Sequence, residues 1–264
     1  MQHSCLPRSF LAVAALALLV LPGCVSHARL GWAAHARGDE ATALAEWTPL
    51  AEQGDADAQY LVGLVHDEGR GVPADPAAAA RWYALAAGQG YAPAQNNLGM
   101  LYASGRGVDV SPADAATWVA RAAAQGFARA EYNLALMHLA GEVVPQDPER
   151  AANLLWLAAS QGDAPAQCAL GAAYDQGLGV AQDDGKAARW YRSAAEQGNA
   201  PAQYRLGLLY HFGRGVMPNQ ELAAQWTARA AEQGVEAAQT NLAILRGERA
   251  DTATMALAGN APLP

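Results

Sequence analysis

Apolar residues recur along this chain in short segments at the spacing of an α-helix, about 3.6 residues per turn. Residues 92–103 carry one such stripe, formed by Ala94, Leu98, Leu101 and Tyr102. Residues 112–124 carry a second stripe, formed by Ala115, Ala116, Val119, Ala122 and Ala123. The pattern predicts two short helices, joined by a glycine-containing loop and packed against each other along these stripes.

The ends of both helices are marked by residues that favour helix termini. Gly105 follows the first stripe and predicts a left-handed C-terminal turn. Ser111 is predicted to cap the second helix, and Pro112 occupies its first turn, where a missing N–H costs little. Equivalent capping residues recur at intervals of 36 residues, namely Asp75, Asp147, Asp183 and Asn219.

The same pattern repeats along most of the chain. A Gln-Gly dipeptide begins at residues 53, 89, 125, 161, 197 and 233, so that every interval is 36 residues. A fixed period of this length is typical of stacked helix pairs, since one pair alone buries too little surface to be stable. We therefore predict an all-α fold, a right-handed α-solenoid of about six stacked helix-turn-helix repeats over residues 40–247.

Several residues within each unit match a known family. Ala94-Gln95, Leu98-Gly99, Tyr102 and Gly105-x-Gly107-Val108 resemble the Sel1-like repeat, a relative of the tetratricopeptide repeat. The pattern is altered at two places. The loop at 141–143 reads Gly-Glu-Val, and Leu154 stands in the slot of Trp118 and Trp190, with Trp156 two places later. The resemblance implies adaptor work that holds partners together, and no specific ligand.

The N-terminal segment has the character of a secretion signal. Arg8 precedes an apolar run over residues 10–21, which is too short to span a bilayer. The run ends in Leu21-Pro22-Gly23-Cys24, which resembles the bacterial lipobox. We therefore expect a signal peptide over residues 1–23 and lipidation of Cys24, the alternative being an ordinary secretory signal. The lipobox resemblance implies a bacterial envelope protein that faces the periplasm, and Val25 after the cysteine favours the outer membrane.

The segments that flank the repeats are expected to play smaller parts. Residues 24–39 are interpreted as a linker and entry cap, with a turn at Gly38-Asp39. Residues 248–264 are short in apolar side chains other than alanine and end in proline, so we expect a disordered tail.

Composition narrows the range of functions. The formal net charge is −8, which argues against a nucleic-acid partner because such proteins present basic surfaces. No pair of histidines has the spacing of a zinc-binding helix, and no Gly-x-Ser-x-Gly elbow occurs. His66 and His138 share the slot of Tyr102, and Cys168 shares that of Tyr60, so all three are interpreted as packing residues. We predict a protein that is not an enzyme and needs no cofactor or metal.

The Gly-Arg-Gly loops raise a separate hypothesis, that they bind an anion. A phosphate-binding loop would follow a strand, whereas these loops follow a helix. Arg70, Arg106 and Arg214 could still form a weak anion-binding ridge, the alternative being solvated loops.

Candidate binding residues are sought where the repeat varies, because packing does not dictate those positions. The slot two residues after the Gln/Glu marker is the most varied one, and in related repeats the first helix lines a concave groove. The candidate ladder consists of Asn97, Asn133, Arg205 and Asn241. Asparagine side chains both donate and accept hydrogen bonds, which suits a peptide or a sugar chain. We predict that this ladder contacts an envelope protein, a plain solvated face being the simpler alternative. A second hypothesis is a periplasmic scaffold for exopolysaccharide export or cell-wall assembly, with a polysaccharide or peptidoglycan partner.

Overall fold

The computed structural model describes the backbone of residues 22–245 and the side chains of residues 27–245. Within that range the chain forms thirteen α-helices and no strand. None of these helices combines the length and the hydropathy required to cross a lipid bilayer. The predicted tail, and all but two residues of the predicted signal peptide, lie outside the described residues.

The helices alternate between two types, which we call first and second helices of each repeat. An entry helix, α1 (Pro22–His35), precedes the second-type helix α2 (Glu40–Glu52). The first helices are α3 (Ala56–Glu68), α5 (Ala92–Ser104), α7 (Ala128–Ala140), α9 (Ala164–Gln176), α11 (Ala200–Phe212) and α13 (Glu236–Leu245). The remaining second helices are α4 (Pro76–Gly88), α6 (Pro112–Ala124), α8 (Pro148–Ser160), α10 (Asp184–Glu196) and α12 (Gln220–Glu232). Consecutive helices pack against each other, which confirms the predicted all-α solenoid of 36-residue repeats.

The predicted helix ends are confirmed. The hydroxyl of Ser111 accepts a hydrogen bond from the backbone N–H of Asp114, and Asp75 accepts one from Ala78 in the same way. Asp147, Asp183 and Asn219 cap their helices with the same geometry. Gly105 ends α5 in the left-handed conformation, with φ of 69°. Each cap satisfies backbone groups that the helix itself leaves unpaired.

Alanine-rich helix faces and a few larger side chains in each unit build the core. Tyr83, Val119, Leu155 and Tyr191 occupy the same slot of successive second helices and are buried. The predicted packing tryptophans contact the core of the preceding repeat, as Trp118 does with the α4–α5 cluster and Trp190 with the α8–α9 cluster. Leu154 takes this role in α8 by packing against the α6–α7 cluster, and Trp156 is exposed, as the altered pattern indicates.

The second glycine of each loop sits against the start of the preceding second helix. A Cβ added to Gly107 would lie 2.2 Å from the carbonyl carbon of Pro76, and one added to Gly179 would meet Pro148. Only a residue without a side chain fits this approach. The unit that carries Val143 at the equivalent position must therefore seat its loop differently.

A second set of contacts ties neighbouring helices together through glutamine side chains. Gln95 donates from Nε2 to the carbonyl oxygen of Ala87, at 3.1 Å. Gln125, at the end of the following second helix, donates to Oε1 of Gln95, at 2.7 Å. The same pair of bonds is formed around Gln59, Gln167 and Gln203. These bonds explain the two glutamine markers of the repeat.

Glu131 interrupts this arrangement, because a carboxylate has no N–H to donate to the carbonyl of Ala123. It still accepts a hydrogen bond from Gln161, at 2.8 Å. Its residue is only 4% exposed, and burial raises the pKa of the Glu131 carboxyl above its ordinary value. A raised folded-state pKa means that the native state binds the proton more tightly than the unfolded chain. The contribution of Glu131 to the free energy of unfolding is therefore complete below the ordinary pKa of a glutamate carboxyl. It is lost as the pH rises through the raised pKa of the folded state.

Glu131→Gln is expected to raise the free energy of unfolding near neutral pH by about 0.5–1.5 kcal/mol, since it restores a buried hydrogen bond and removes a buried charge. The gain should shrink when urea unfolding is repeated near pH ~4, where Glu131 takes up its proton. Gln95→Glu is the mirror variant and should lose a similar amount at neutral pH. Equal gains at both pH values would contradict this account of Glu131.

Candidate functional site

The first helices form one continuous surface, which we call the inner face. Neighbouring first helices approach each other directly, α5 with α7 and α7 with α9. No two neighbouring second helices come as close within residues 22–245. Because the first helices from α5 to α9 are more closely spaced than the second helices, they line the concave side of this part of the stack. The inner face is therefore the groove that the sequence predicted for partner binding.

Two of the predicted ladder residues form hydrogen bonds between adjacent first helices. Asn133 donates from Nδ2 to Oδ1 of Asn96, at 2.7 Å, and so links α7 to α5. Asn241 donates to the Tyr204 hydroxyl, also at 2.7 Å, and links α13 to α11. Asn97 donates instead to the hydroxyl of Tyr83, at 3.2 Å. The ladder slot thus supplies bonds within the protein.

Burial separates the four candidates into two groups. Asn97 and Asn133 are half-buried and keep part of their surface on the inner face, whereas Arg205 is 6% and Asn241 only 1% exposed. The part of the prediction that placed Arg205 and Asn241 on an accessible surface does not agree with the structure. Their slot faces the neighbouring first helix, which covers it. Contact of Asn97 and Asn133 with a partner stays a prediction.

The loop arginines are paired with carboxylates, which corrects the proposed anion-binding ridge. Arg106 reaches back to Asp67 of the preceding repeat, with Nη2 and Oδ1 2.8 Å apart. Arg214 contacts both Asp175, at 2.5 Å, and Asp184, at 2.6 Å, and these contacts raise the pKa of its guanidinium further above its ordinary value. Arg70 pairs with Glu68. Each positive charge has a carboxylate partner, so the three side chains offer no ridge to an anion. Arg106 and Arg214 tie neighbouring repeats together, whereas Arg70 pairs within its own repeat.

The repeat, its glycine loops and its glutamine pairs are matched by a family model. The Sel1 repeat model covers residues 56–91, 92–127, 128–163, 164–199 and 200–235. The chain belongs to the Sel1 repeat family. Sel1 repeats commonly form protein–protein interaction scaffolds and are generally non-catalytic.

Solved structures support this assignment. A Sel1 repeat protein from Oxalobacter formigenes is 31% identical, with a TM-score of 0.74 over 82% of this chain and 86% of the other. A protective antigen of uropathogenic Escherichia coli with an SLR fold is 32% identical, with a TM-score of 0.73. That match covers 89% of this chain but 52% of the antigen, so this chain spans about half of the antigen's length. The immunity protein Pa5087 from Pseudomonas aeruginosa shares the fold alone, at 19% identity and a TM-score of 0.54. Comparison with curated protein sequences gave no match.

The inner face of this Sel1 repeat array contains a cleft of about 500 Å³ between α7 and α9. Tyr132, Leu136 and Leu139 form one wall of this α7–α9 cleft, and Ala169 and Ala172 form the other. Leu178, from the loop after α9, lies at one end. Gln146 and Gln176 also line it, and neither a carboxylate nor a cationic side chain does.

Two side chains that could carry chemistry, those of Cys168 and His138, are buried. Burial raises the pKa of the Cys168 thiol to about 12, so the thiol stays protonated and is a poor nucleophile. Among the side chains of residues 27–245, no cluster of three His, Cys, Asp or Glu residues could hold a metal ion. His138 is buried, with Nδ1 lying 3.1 Å from the carbonyl oxygen of Pro145, in keeping with its interpretation as a packing residue.

The cleft was missed by the sequence reasoning, which considered only polar variation. The signal lies in a slot three residues after the ladder position, occupied by Met100, Leu136, Ala172 and Leu208. Alanine is the smallest of the four. Residues 169 and 172 lie one helical turn apart, and both are alanine where other repeats carry larger side chains. These two small residues mark where the inner face opens.

Proposed function

We propose that this protein is a non-catalytic scaffold of the bacterial envelope, held at a membrane by lipid on Cys24 and binding a protein partner along the inner face. The observation that supports partner binding most directly is the surface itself. The inner face is lined by apolar and amide side chains that the stack does not cover, among them Met100 and Leu136, which are exposed. Exposed apolar groups collected on one concave surface are typical of an interaction site.

The lipid anchor and the periplasmic location follow from the resemblance of residues 21–24 to a lipobox. Cys24 lies in the first turn of α1, close to the entry cap of the array. An acyl chain there would leave the inner face of all the repeats free to bind a partner at the membrane surface.

Site-specific photo-crosslinking in cells tests the proposal. A photoreactive residue at position 100 or 136 is expected to give a discrete protein adduct, because both positions are exposed on the inner face. Position 117, exposed on α6 and therefore on the opposite side, is the matched control and should give none. The same cells carrying Cys24→Ser should release the protein from the membrane fraction. Adducts to glycan at 100 and 136 would contradict a protein partner and favour the polysaccharide-export scaffold.

Alanine substitution of the ladder is a weaker test than crosslinking. Asn133→Ala would also remove the bond from Asn133 to Asn96, so a loss of partner binding could reflect altered packing of α5 against α7. Asn97→Ala raises the same problem through Tyr83.

A further inference from the structure

The α7–α9 cleft exists because two side chains are small. In the ladder slot the first helices carry Asn97, Asn133, Ala169 and Arg205, and in the next inner slot Met100, Leu136, Ala172 and Leu208. At α11 both slots are filled by large side chains, Arg205 and Leu208, and both are buried. At α9 both slots carry alanine, and these two residues line the cleft although they are only 8% and 5% exposed.

A second difference concerns charge. In two repeats the arginine of the loop pairs with an aspartate 39 residues earlier on the preceding first helix, as Arg106 does with Asp67 and Arg214 with Asp175. The same two positions at the cleft are Leu139 and Leu178, and both line it. The ion pair that these two junctions carry is therefore replaced at the cleft by two apolar side chains.

Together these differences define what the cleft can hold. A charged group entering it would lose hydration without gaining a counter-ion, which is unfavourable. An apolar group would be removed from water against leucine, alanine and tyrosine side chains, which is favourable. The volume falls within the range of small-ligand pockets and accommodates a large aliphatic or aromatic side chain.

We propose that the α7–α9 cleft binds one apolar side chain, aliphatic or aromatic, from an extended segment of the protein partner. This assignment rests on the proposed function, in which the partner is a protein held on the inner face. The exposed amide of Gln176 lies at the edge of the cleft, where it can bond the partner's backbone on one side of the anchored residue. The cleft thereby selects partners by the residue that they place in it, whereas the rest of the inner face contacts the partner without such selectivity.

The cleft is tested with N-acetyl amides of single amino acids, monitored by NMR of ¹³C-labelled alanine methyl groups. N-acetyl-phenylalanine amide and N-acetyl-leucine amide are expected to shift the Ala169 and Ala172 signals in a saturable manner. The lysine and glutamate amides should leave those signals unchanged at the same concentrations. No shift with any of the amides up to their solubility would overturn the proposal.

Ala172→Leu is the decisive variant, because it places in the cleft the residue that neighbouring repeats carry at 136 and 208. It should weaken binding of the phenylalanine amide by about tenfold or more, read from the Ala169 methyl signal. Thr117→Leu adds a similar side chain on the exposed face of α6, away from the inner face, and should bind as the unmodified protein does. Equal affinity in the Ala172→Leu variant would place the binding elsewhere and overturn the proposal.

Two further outcomes separate this proposal from the proposed function. If decanoate shifts the two methyl signals and the amides do not, the cleft takes an acyl chain and the side-chain assignment is wrong. If protein adducts form at positions 100 and 136 while the amides fail to bind, the scaffold function stands and the cleft proposal falls. If the amides bind and no protein adduct forms at either position, the protein partner falls and the assignment of its side chain falls with it.

Discussion

Gly107→Ala is expected to lower the free energy of unfolding by about 2–5 kcal/mol. Two costs add. A non-glycine residue in the left-handed region costs about 1–2 kcal/mol, and Gly107 has φ of 70°. The new Cβ would also lie 2.2 Å from the carbonyl carbon of Pro76, so the loop must move away from α4, at a cost of about 1–3 kcal/mol. Urea unfolding followed by circular dichroism measures the change.

Gly126→Ala is the matched control, because it shares the first cost and lacks the second. Gly126 has φ of 77°, and a Cβ there would meet no atom within 4 Å. We expect it to cost about 1–2 kcal/mol. Equal losses in the two variants would show that backbone conformation alone explains the glycine, and that the approach to Pro76 has no energetic weight.

The second loop glycine helps to fix how neighbouring repeats pack against each other. The second loop glycine brings each loop onto the start of the preceding second helix, as Gly107, Gly179 and Gly215 do. In the unit that carries Val143 this approach is blocked. The same unit has Glu142 where three other units have the loop arginine, so it also lacks an ion pair to the preceding repeat of the kind that Arg106 forms with Asp67. The junction before this unit is therefore held mainly by helix packing and by the bond from Asn133 to Asn96.

The helix ends and the repeat could be predicted from the sequence because their causes are local. A capping side chain such as Ser111 bonds to a backbone group three residues away, and Gly105 needs a left-handed conformation at its own position. Such signals require no knowledge of neighbouring repeats. The 36-residue period then placed every unit in the same register.

The binding surface was harder to predict, because it depends on which slots the adjacent repeat covers. Asn241 and Asn97 occupy the same slot, yet Asn241 is buried and Asn97 is half-buried. A position that varies between repeats is not required by the family pattern. Its side chain can contact the neighbouring repeat as well as a partner. Arg214 shows the same limit, because its two aspartate partners lie 39 and 30 residues earlier in the chain.

The cleft was harder to predict than the helix ends, although part of its signal is visible in the sequence. Ala169 and Ala172 are visible in the sequence as departures from larger residues, but alanine is common throughout this chain and was interpreted as helix packing. Only the spatial arrangement shows that both methyl groups face Leu136 and Tyr132 across an open space. Size differences in inner slots therefore carry as much information about binding as polar differences do.

Leu155→Ala is expected to cost about 2–5 kcal/mol of unfolding free energy, as large-to-small substitutions in a packed core do. Leu155 is 1% exposed and packs in the cluster formed by α7, α8 and α9. Leu157→Ala, two residues later in the same helix, is the matched control, since Leu157 is 44% exposed. It should change the stability by about 0.5 kcal/mol or less.

The size of the effect at Leu155 depends on how the stack unfolds. In a one-dimensional array each repeat is stabilised by its own packing and by its two neighbours. Leu155 lies in the unit that carries Val143 and Glu142, where the loop and ion-pair contacts to the preceding repeat are missing. Weakening its core should therefore allow the repeats on either side to unfold separately, which would lower the denaturant m-value as well as the midpoint. An unchanged m-value with a shifted midpoint would show instead that helix packing alone keeps the array cooperative across this junction.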